Sequence, residues 1–303
     1  MEKRLIDFLP ETRGVMKPNY NLRDINWLKV GGNAEVFFCP EDTDDLRYLL
    51  KKKPENVQIT VIGAGSNILI RDGGVKGIVI CFGDWFKKIH NSGENFEVGA
   101  ATSCRELAKS AAKAGVGGLE FLYAIPGSVG GALKMNAGCF GFEMKDVFVE
   151  AEGMNVNSLM KWFGKDDLKF TYRKCQPPKD CIFTRIWVKG SCGDSSLIEE
   201  NMQKFEEQRR RSHPSGVFTC GSLFKNPPEE KAWKLIEKSG CKNMKCGGAS
   251  LSEVHCNFLV NDGSATSNDI ESLIETIKSK VLAVTGVNLE LELVIIGERQ
   301  LIN

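Results

Sequence analysis

The sequence predicts a globular protein that mixes helices and strands, organised as one large or two ordinary domains. Its 303 residues are 42% hydrophobic, which is too apolar for a disordered chain. Alternating or β-branched runs indicate strands, and apolar residues that recur every three or four positions indicate helices. Of the 31 glycines, five lie between Gly63 and Gly77 and seven between Gly117 and Gly141, and such clusters indicate backbone that a ligand can approach closely.

Composition and charge argue against several classes of protein. Forty Lys and Arg balance 39 Asp and Glu, so no overall basic field indicates nucleic-acid binding. The N-terminal residues contain no apolar signal region, and no run reaches the ~18 apolar residues of a membrane span. We therefore expect a cytoplasmic protein with neither a nucleic-acid nor a membrane partner.

The eleven cysteines are scattered and contain no CxxC pair. The group nearest to a metal site is Cys241, Cys246 and Cys256 beside His255, but this spacing is unlike that of zinc ligands. We interpret the cysteines as reduced thiols and expect no metal site.

In the N-terminal part, two β-branched runs at residues 58–62 and 77–81 predict strands on either side of a glycine loop. Residues 102–115 predict a helix, because Ser103 and Glu106 have the spacing of a capping box and a glycine ends the segment. Residues 182–188 predict a further strand.

The segment after that strand, residues 191–196, is the best candidate for a domain boundary. Residues 196–211 then predict a helix opened by a capping box, and we interpret its final arginine run as a solvated helix end. A second amphipathic helix begins at Thr266 or Ser267 and ends at Gly286. Residues 287–296 predict a strand with leucines on one face and glutamates on the other.

The first glycine loop, GAGSNILIRDGG at residues 63–74, is only half of a dinucleotide fingerprint. The third glycine of GxGxxG is missing and a strand follows instead of a helix, which disfavours a Rossmann domain. Backbone N–H groups with the side chains of Ser66 and Asn67 could hold an anionic group such as a pyrophosphate. A tight turn between two strands is the alternative.

The second cluster, residues 117–141, alternates apolar residues with glycines and contains no segment of ordinary helix propensity. Ordering such a stretch is entropically unfavourable unless a ligand lies against its backbone. Two such loops in one domain suggest an extended, dinucleotide-sized cofactor.

Four motifs occur in the order found in one known family: GAGSNILIRDGG, GLEFLYAIPGSVGGALKMNAGCFG, FTYRKC and CGSLFKNP. The chain thereby resembles the UDP-N-acetylenolpyruvoylglucosamine reductases (MurB). LKVGGNAEVFFCPEDTDDL and GGASLSEVHCNFLVN also match, so the resemblance covers the chain from about Asn21 to Gly297.

The resemblance implies an α+β fold of the vanillyl-alcohol-oxidase (PCMH) type. A two-lobed FAD-binding domain would occupy residues 1–193, with its core at about 21–190, and a smaller α+β substrate-binding domain would occupy residues 194–303. The implied protein is a monomeric, NADPH-dependent flavoenzyme that reduces the enolpyruvyl group of UDP-N-acetylglucosamine enolpyruvate to give UDP-N-acetylmuramate for peptidoglycan. A flavin suits this reaction, since protein side chains offer no hydride carrier.

The resemblance also assigns catalytic residues. Ser222 would protonate the intermediate, Arg173 would stabilise the enolate, and Glu292 would be their acidic partner. Hydride addition leaves negative charge beside the substrate carboxylate, which calls for a proton donor and a fixed positive charge. Without the family, Ser222 is equally a turn serine, Arg173 a surface cation and Glu292 a solvent-facing strand residue.

The resemblance also assigns, position by position, residues that bind the UDP-sugar and FAD. Tyr172, Lys225 and Asn226 match positions near the UDP-sugar. The residues implied to bind FAD, noncovalently, are Gly63, Ala64, Gly65, Ser66, Asn67, Ile68, Pro126, Gly127, Ser128, Gly130, Gly131, Asn136 and Gly138.

Two positions depart from the family pattern. Cys175 stands where the Tyr-Arg-x-Ser motif has serine, and Val294 stands where an arginine commonly follows the glutamate. The short span from Arg173 to Ser222 resembles the family's shorter class, which lacks an inserted tyrosine-bearing lid.

Two other functions remain open from the sequence. The first is a flavin oxidase of the same superfamily, although residues 63–74 contain no histidine for the covalent attachment of FAD that such oxidases often use. The second is a nucleotide-sugar binding protein without turnover, against which the three intact catalytic positions argue.

Overall fold

The computed structural model describes residues 3–178 and 180–300, which form two compact units. The first unit comprises the residues up to Pro18, Val36–Ala64 and Gly77–Arg209. The second comprises Asn19–Glu35, Gly65–Lys76 and the residues from Arg210 on. Each unit thus combines separate stretches of the chain, and the expected functional domains, 1–193 and 194–303, stay a prediction.

The elements have the following bounds. The helices are α1 Thr43–Lys52, α2 Cys104–Lys113, α3 Val129–Lys134, α4 Met144–Val147, α5 Lys165–Leu168, α6 Ser195–Ser212, α7 Ala232–Lys238 and α8 Ser267–Thr285. Short 3-10 helices occupy Leu5–Phe8, Arg23–Ile25, Asp84–Lys87 and Glu120–Ala124. The strands are β1 Val15–Asn21, β2 Asn33–Cys39, β3 Ile59–Val61, β4 Ile68–Ile70, β5 Val75–Ile80, β6 Ile89–Ser92, β7 Asn95–Gly99, β8 Val116–Gly117, β9 Gly138–Cys139, β10 Phe142–Glu143, β11 Phe148–Asn155, β12 Met160–Phe163, β13 Cys181–Lys189, β14 Ser191–Cys192, β15 Phe218–Ser222, β16 Lys245–Cys246, β17 Ala249–Leu251, β18 Phe258–Asn261 and β19 Val294–Ile296.

The first unit contains two separate hydrophobic cores, as a two-lobed domain requires. One core includes Phe38, Leu49 and Ile78, and belongs with a sheet in the order β1-β2-β5-β3. The other includes Leu107 and Ile186, and belongs with an antiparallel sheet in the order β12-β11-β13-β7-β6. Both predicted strands beside the first glycine loop form, as β3 and β5, and they pair in parallel.

The cap signals in the sequence placed two helices correctly. In α2, Ser103 Oγ accepts the N–H of Glu106 at 3.0 Å and the Glu106 carboxylate accepts the N–H of Ser103 at 3.3 Å. Helix α8 begins after Thr266 in a capping box with Asp269, and it ends at Gly286, whose φ of 74° is the left-handed conformation of a C-cap.

The second unit joins residues from both ends of the chain. Its sheet runs in the order β15-β18-β17-β16, and α8 contributes Ile270 and Ile274 to the core. Strand β4 pairs in parallel with β19, with Ile68 opposite Val294. Leu28, Val30 and Leu69 lie in the same core as α8.

The C-terminal strand is shorter than the sequence predicted. Only Val294–Ile296 is a strand, whereas residues 287–293 were expected to belong to it. Glu292 donates its N–H to the carbonyl of Leu223, and Leu291 forms an isolated bridge with Phe224. These residues therefore lie along an irregular segment and cannot form a regular ladder. Leu289 and Leu293 are nevertheless buried and Glu290 is exposed, as the alternation predicted.

Two helix predictions also need correction. Helix α6 begins at Ser195, so Ser196 lies inside its first turn, and the Asp194 carboxylate accepts the N–H of Ser196 at 2.7 Å. The second glycine cluster was expected to contain no helix, yet it contains α3. Tertiary packing overrides the low helix propensity of its two glycines. Within the described residues, no helix has both the length and the apolar character of a membrane span.

Candidate active site

The glycines of the first loop are required by their surroundings. A Cβ on Gly63 would lie 2.7 Å from Ser128 Oγ, and both residues belong to the first unit. Gly65 has a φ of 67°, and a Cβ there would lie 2.2 Å from the carbonyl oxygen of Ile25 within the second unit. At Gly63 and Gly65 the loop is thus packed too closely against its neighbours for a side chain.

The second loop turns sharply into helix α3. Gly127 has a φ of 112°, and Ser128 caps the helix by accepting the N–H of Gly131 at 3.3 Å. A Cβ on Gly130 would lie 2.9 Å from the carbonyl oxygen of Ala100. Gly130 therefore permits close approach of this helix to the backbone that follows β7.

Buried polar atoms near both loops fit a ligand with hydrogen-bonding groups. Asn67 Oδ1 in the second unit and Thr102 Oγ1 in the first are buried, with no hydrogen-bond partner among the described residues. The main-chain carbonyl of Thr102 accepts the N–H of Val129 at 2.8 Å, so this residue adjoins the second loop. Because buried polar atoms are normally satisfied, both favour a polar ligand such as FAD.

Arg173 lies at the corner of a tight turn in the first unit. Thr171 and Lys174 exchange main-chain hydrogen bonds of 2.9 and 3.1 Å, and Arg173 adopts a left-handed φ of 54°. Its guanidinium donates to the carbonyl of Gly138 at 2.7 Å and lies 5.1 Å from the ring centre of Tyr172. The turn thus brings a predicted catalytic cation to the end of the second glycine loop.

Asn136 holds this turn through a fully buried amide. Its Nδ2 donates to the carbonyl of Thr171 at 2.9 Å and to the carboxylate of Glu143 at 3.1 Å, while Oδ1 accepts the N–H of Lys145. The amide therefore bonds within the protein. Its predicted contact with FAD stays a prediction.

Ser222 and Glu292 are both in the second unit and lie on adjoining segments. Ser222 ends β15, opposite Phe258 of β18, and the next residue, Leu223, accepts the N–H of Glu292 at 3.0 Å. Both predicted catalytic side chains are partly exposed. The Glu292 carboxylate is also near enough to Cys220 that its charge adds to burial in raising the pKa of that thiol to about 12.

The residues predicted to bind the UDP-sugar differ in how they are held. Lys225 Nζ donates to the Glu290 carboxylate at 2.5 Å, and the Lys225 side chain is only 16% exposed. Asn226 Oδ1 accepts the N–H of Ala232 at the start of α7. Tyr172, in the first unit, is 45% exposed. Lys225 is therefore a restrained, half-buried cation of the kind that suits a phosphate.

Sequence reasoning missed two residues here. Thr102 stands directly before the capping box, and nothing in the local pattern distinguished it. Arg209 was interpreted as part of a solvated helix end, but burial lowers its pKa, and its charge acts on the thiol of Cys139. Arg173 acts on the same thiol. The sequence treats the three arginines alike, and only the structure shows that Arg209 is partly buried whereas Arg210 and Arg211 are exposed.

All eleven cysteines are free, and most are partly or fully buried. Burial raises the pKa of several, for example Cys104 to about 12 and Cys175 to about 11, so they are poor nucleophiles. Among residues 3–178 and 180–300, no group of three His, Cys, Asp or Glu side chains could hold a metal ion. Of the two departures from the family pattern, Cys175 packs in the first unit's core, whereas Val294 lies in β19 with its side chain 39% exposed.

Family models match both parts of the chain. A model described as "UDP-N-acetylenolpyruvoylglucosamine reductase, C-terminal domain" matches residues 213–296, and one described as "FAD binding domain" matches residues 34–163. The reductase of Beijerinckia indica is 44% identical over 97% of this chain and 94% of its own length. That of Parvibaculum lavamentivorans is 43% identical over 98% and 96%.

Solved structures agree with these matches. The reductase MurB from Thermus caldophilus superposes with a TM-score of 0.81 at 32% identity, over 94% of this chain and 99% of that one. The 6-hydroxy-D-nicotine oxidase of Arthrobacter nicotinovorans has a TM-score of 0.59 at 11% identity, over 92% and 88%, and thus shares the fold alone. The predicted FAD-binding α+β fold class is confirmed. With relatives more than 40% identical over nearly its whole length, the chain belongs to the UDP-N-acetylenolpyruvoylglucosamine reductase family.

Proposed function

We propose that this protein is an FAD-dependent reductase that converts UDP-N-acetylglucosamine enolpyruvate to UDP-N-acetylmuramate, with NADPH as the hydride donor, in peptidoglycan synthesis. The proposal depends chiefly on the 44% identity, over 97% of this chain, with the UDP-N-acetylenolpyruvoylglucosamine reductase of Beijerinckia indica. The two glycine loops, with their excluded side chains and buried polar atoms, support FAD as the cofactor.

Bound FAD would supply the hydride that the substrate's double bond accepts. The FAD-binding residues predicted from the sequence at the two loops would hold the cofactor. Thr102 is added to them because its hydroxyl is buried without a hydrogen-bond partner among the described residues. The glycines let the loops pack closely against neighbouring backbone and side chains, and the main-chain N–H groups of the loops suit the pyrophosphate of the cofactor.

The chain's own residues would complete the reaction. Arg173 would stabilise the negative charge that develops at the substrate carbon next to the carboxylate, because a guanidinium held by Gly138 is a fixed positive charge. Ser222 Oγ would donate the proton to that carbon, and Glu292 would restore the proton to the serine. One hydride and one proton are then added across the double bond.

The carbanionic centre makes a serine adequate as the acid. A hydroxyl is a weak acid in water, but the carbon it protonates is strongly basic. Lys225 would bind the diphosphate of the nucleotide, with Tyr172 and Asn226 beside the sugar. The proposal also includes a monomer in the cytoplasm, where NADPH and UDP-linked sugars are made.

The test is the visible spectrum of the purified protein under anaerobic conditions. We expect a flavin band that bleaches with NADPH and returns when UDP-N-acetylglucosamine enolpyruvate is added. A band that returns only with oxygen would favour the flavin oxidase. Absence of flavin, even after reconstitution with FAD, would contradict the enzyme and favour a binding protein. Size-exclusion chromatography tests the monomer.

A further inference from the structure

The side chain of Asn67 connects the first glycine loop to a predicted catalytic segment. Its Nδ2 donates to the main-chain carbonyl of Glu292 at 3.0 Å, across 225 positions of sequence. The main-chain carbonyl of Asn67 accepts the N–H of Val294 at 3.2 Å. Asn67 therefore holds the backbone on both sides of Leu293, all within the second unit.

The same loop also contacts the backbone next to Ser222. The carbonyl of Ser66 accepts the N–H of Gly221 at 3.2 Å. A Cβ added to Gly221 would lie 3.4 Å from Asn67 Oδ1, so the amide oxygen of Asn67 is a neighbour of this glycine. Two adjacent loop residues thus reach both predicted catalytic segments.

The two segments are also bonded to one another and anchored beyond Ser222. Glu292 donates its N–H to the carbonyl of Leu223. The buried amide of Asn257 accepts the N–H of Phe224 at 3.0 Å and donates to its carbonyl at 2.8 Å. The backbone around Ser222 is therefore held on both sides, by the hydrogen bond of Gly221 to Ser66 and by the two hydrogen bonds of Phe224 to Asn257.

The orientation of the Asn67 amide follows from its neighbours. A flipped amide would place Oδ1 against the carbonyl oxygen of Glu292, where two acceptors repel. The observed orientation leaves Oδ1 buried, with no donor among the described residues. A buried acceptor without a donor is unfavourable, which fits a loop that receives a donor from a bound ligand.

We propose that Asn67 is a positioning residue that holds the backbone of Glu292 directly, and the segment of Ser222 through the hydrogen bond from Glu292 to Leu223, in the arrangement required for protonation of the substrate. This inference rests on the proposed function. It assigns to Asn67 a part in the second half of the reaction, in addition to its place in the cofactor loop.

The test compares the two half-reactions in Asn67→Ala and Asn67→Asp by anaerobic stopped-flow absorbance. We expect flavin reduction by NADPH to stay within about threefold of wild type, because it needs no proton donor at Ser222. We expect reoxidation by UDP-N-acetylglucosamine enolpyruvate to slow about 10- to 100-fold, since small misplacements of catalytic groups have effects of that size. Asn67→Asp should be impaired as well, because its carboxylate cannot donate to the Glu292 carbonyl.

The flavin content of each variant, measured by absorbance after gel filtration, separates positioning from cofactor retention. We expect FAD binding to weaken in Asn67→Ala, which loses the amide oxygen, but FAD to be retained or restored with excess FAD in both variants. Variants that lose FAD and cannot be reconstituted with excess FAD would overturn the proposal and make Asn67 a cofactor-retaining residue. Equal slowing of both half-reactions, or an unchanged reoxidation rate, would also overturn it.

Ser267→Ala is the matched control. Ser267 Oγ donates to the Asp72 carboxylate and accepts the N–H of Asp72, which attaches the other end of the same segment, residues 65–76, to α8. Its loss should lower the free energy of unfolding and leave the ratio of the two half-reaction rates unchanged. If wild-type flavin is itself not reoxidised by the substrate, the proposed function fails, whatever the Asn67 variants do.

Discussion

Arg173 Nη2 donates to the main-chain carbonyl of Gly138 at 2.7 Å, which ties a predicted catalytic cation to the second glycine loop. Arg173 also adopts a left-handed backbone conformation, with a φ of 54°, which is uncommon for a residue other than glycine. A strained residue in a turn held by Asn136 is the kind of backbone that functional sites retain.

We expect Arg173→Lys to lower the rate of substrate reduction about 10²-fold or more, because a lysine cannot both bond Gly138 and present a planar cation to the developing charge. FAD should stay bound. Stopped-flow reoxidation of the reduced flavin by substrate measures the effect. Lys174→Ala, at the exposed neighbouring position, should behave like wild type, and a similar loss there would indicate damage to the turn instead.

Ser222→Ala should leave the flavin bound and reducible by NADPH but slow its reoxidation by substrate about 10²- to 10⁴-fold, the range of a lost general acid. Comparison of the two half-reactions measures this. Ser250→Ala, in the same sheet, is the control. Normal turnover in Ser222→Ala would remove this residue from the mechanism.

Lys225→Ala should raise KM for the UDP-sugar about 10- to 100-fold, which corresponds to the loss of one charge-assisted hydrogen bond of about 1.5–3 kcal/mol. Initial rates at varied substrate measure it. Glu290→Gln removes the carboxylate that holds Lys225 and retains the ammonium group, so it should not raise KM. A KM that is unchanged in Lys225→Ala would count against a phosphate contact.

Gly65→Ala should destabilise the protein more than Gly93→Ala. Both glycines have similar left-handed φ values, 67° and 62°, so each alanine carries a conformational cost of about 1–2 kcal/mol. A Cβ at Gly65 also meets the carbonyl of Ile25, whereas nothing lies within 4 Å of one at Gly93. We expect an additional loss of about 1–3 kcal/mol in urea unfolding and weaker FAD binding. Equal losses would mean that the first loop has room for a side chain.

The ion pair between Arg71 and Glu271 should make stability depend on pH. Hydrogen bonds from Arg71, at 2.7 to 3.2 Å, hold the pKa of Glu271 below its usual value. A lowered pKa stabilises the folded protein above the unfolded value of about 4.3, and this contribution disappears as pH falls through the folded pKa.

Glu271→Gln should therefore lower the free energy of unfolding by about 2 kcal/mol at pH 7. The difference from wild type should stay constant down to about pH 5 and shrink below about pH 4.3. Urea unfolding between pH 7 and pH 3 measures this. Glu275→Gln, on the exposed face of the same helix, should change stability by less than about 1 kcal/mol. A difference that does not shrink in acid would contradict the linkage.

Local signals were sufficient for much of this protein. The capping box of α2, and the N-cap residue and terminal glycine of α8, are local signals, so the sequence alone located both helices. Both glycine clusters were interpreted as backbone that a ligand approaches closely, and the order of motifs identified the family.

Distant contacts decided the rest. Helix α3 forms despite its glycines because Gly130 packs against the backbone of Ala100. The segment that carries Glu292 is irregular because its N–H groups bond the Leu223 carbonyl, and no periodicity encodes that partner. The sequence by itself determined local helices, turns and family. Only the tertiary structure decided that β4 pairs with β19 and that Asn67 holds Glu292, because those hydrogen bonds join residues more than 200 positions apart.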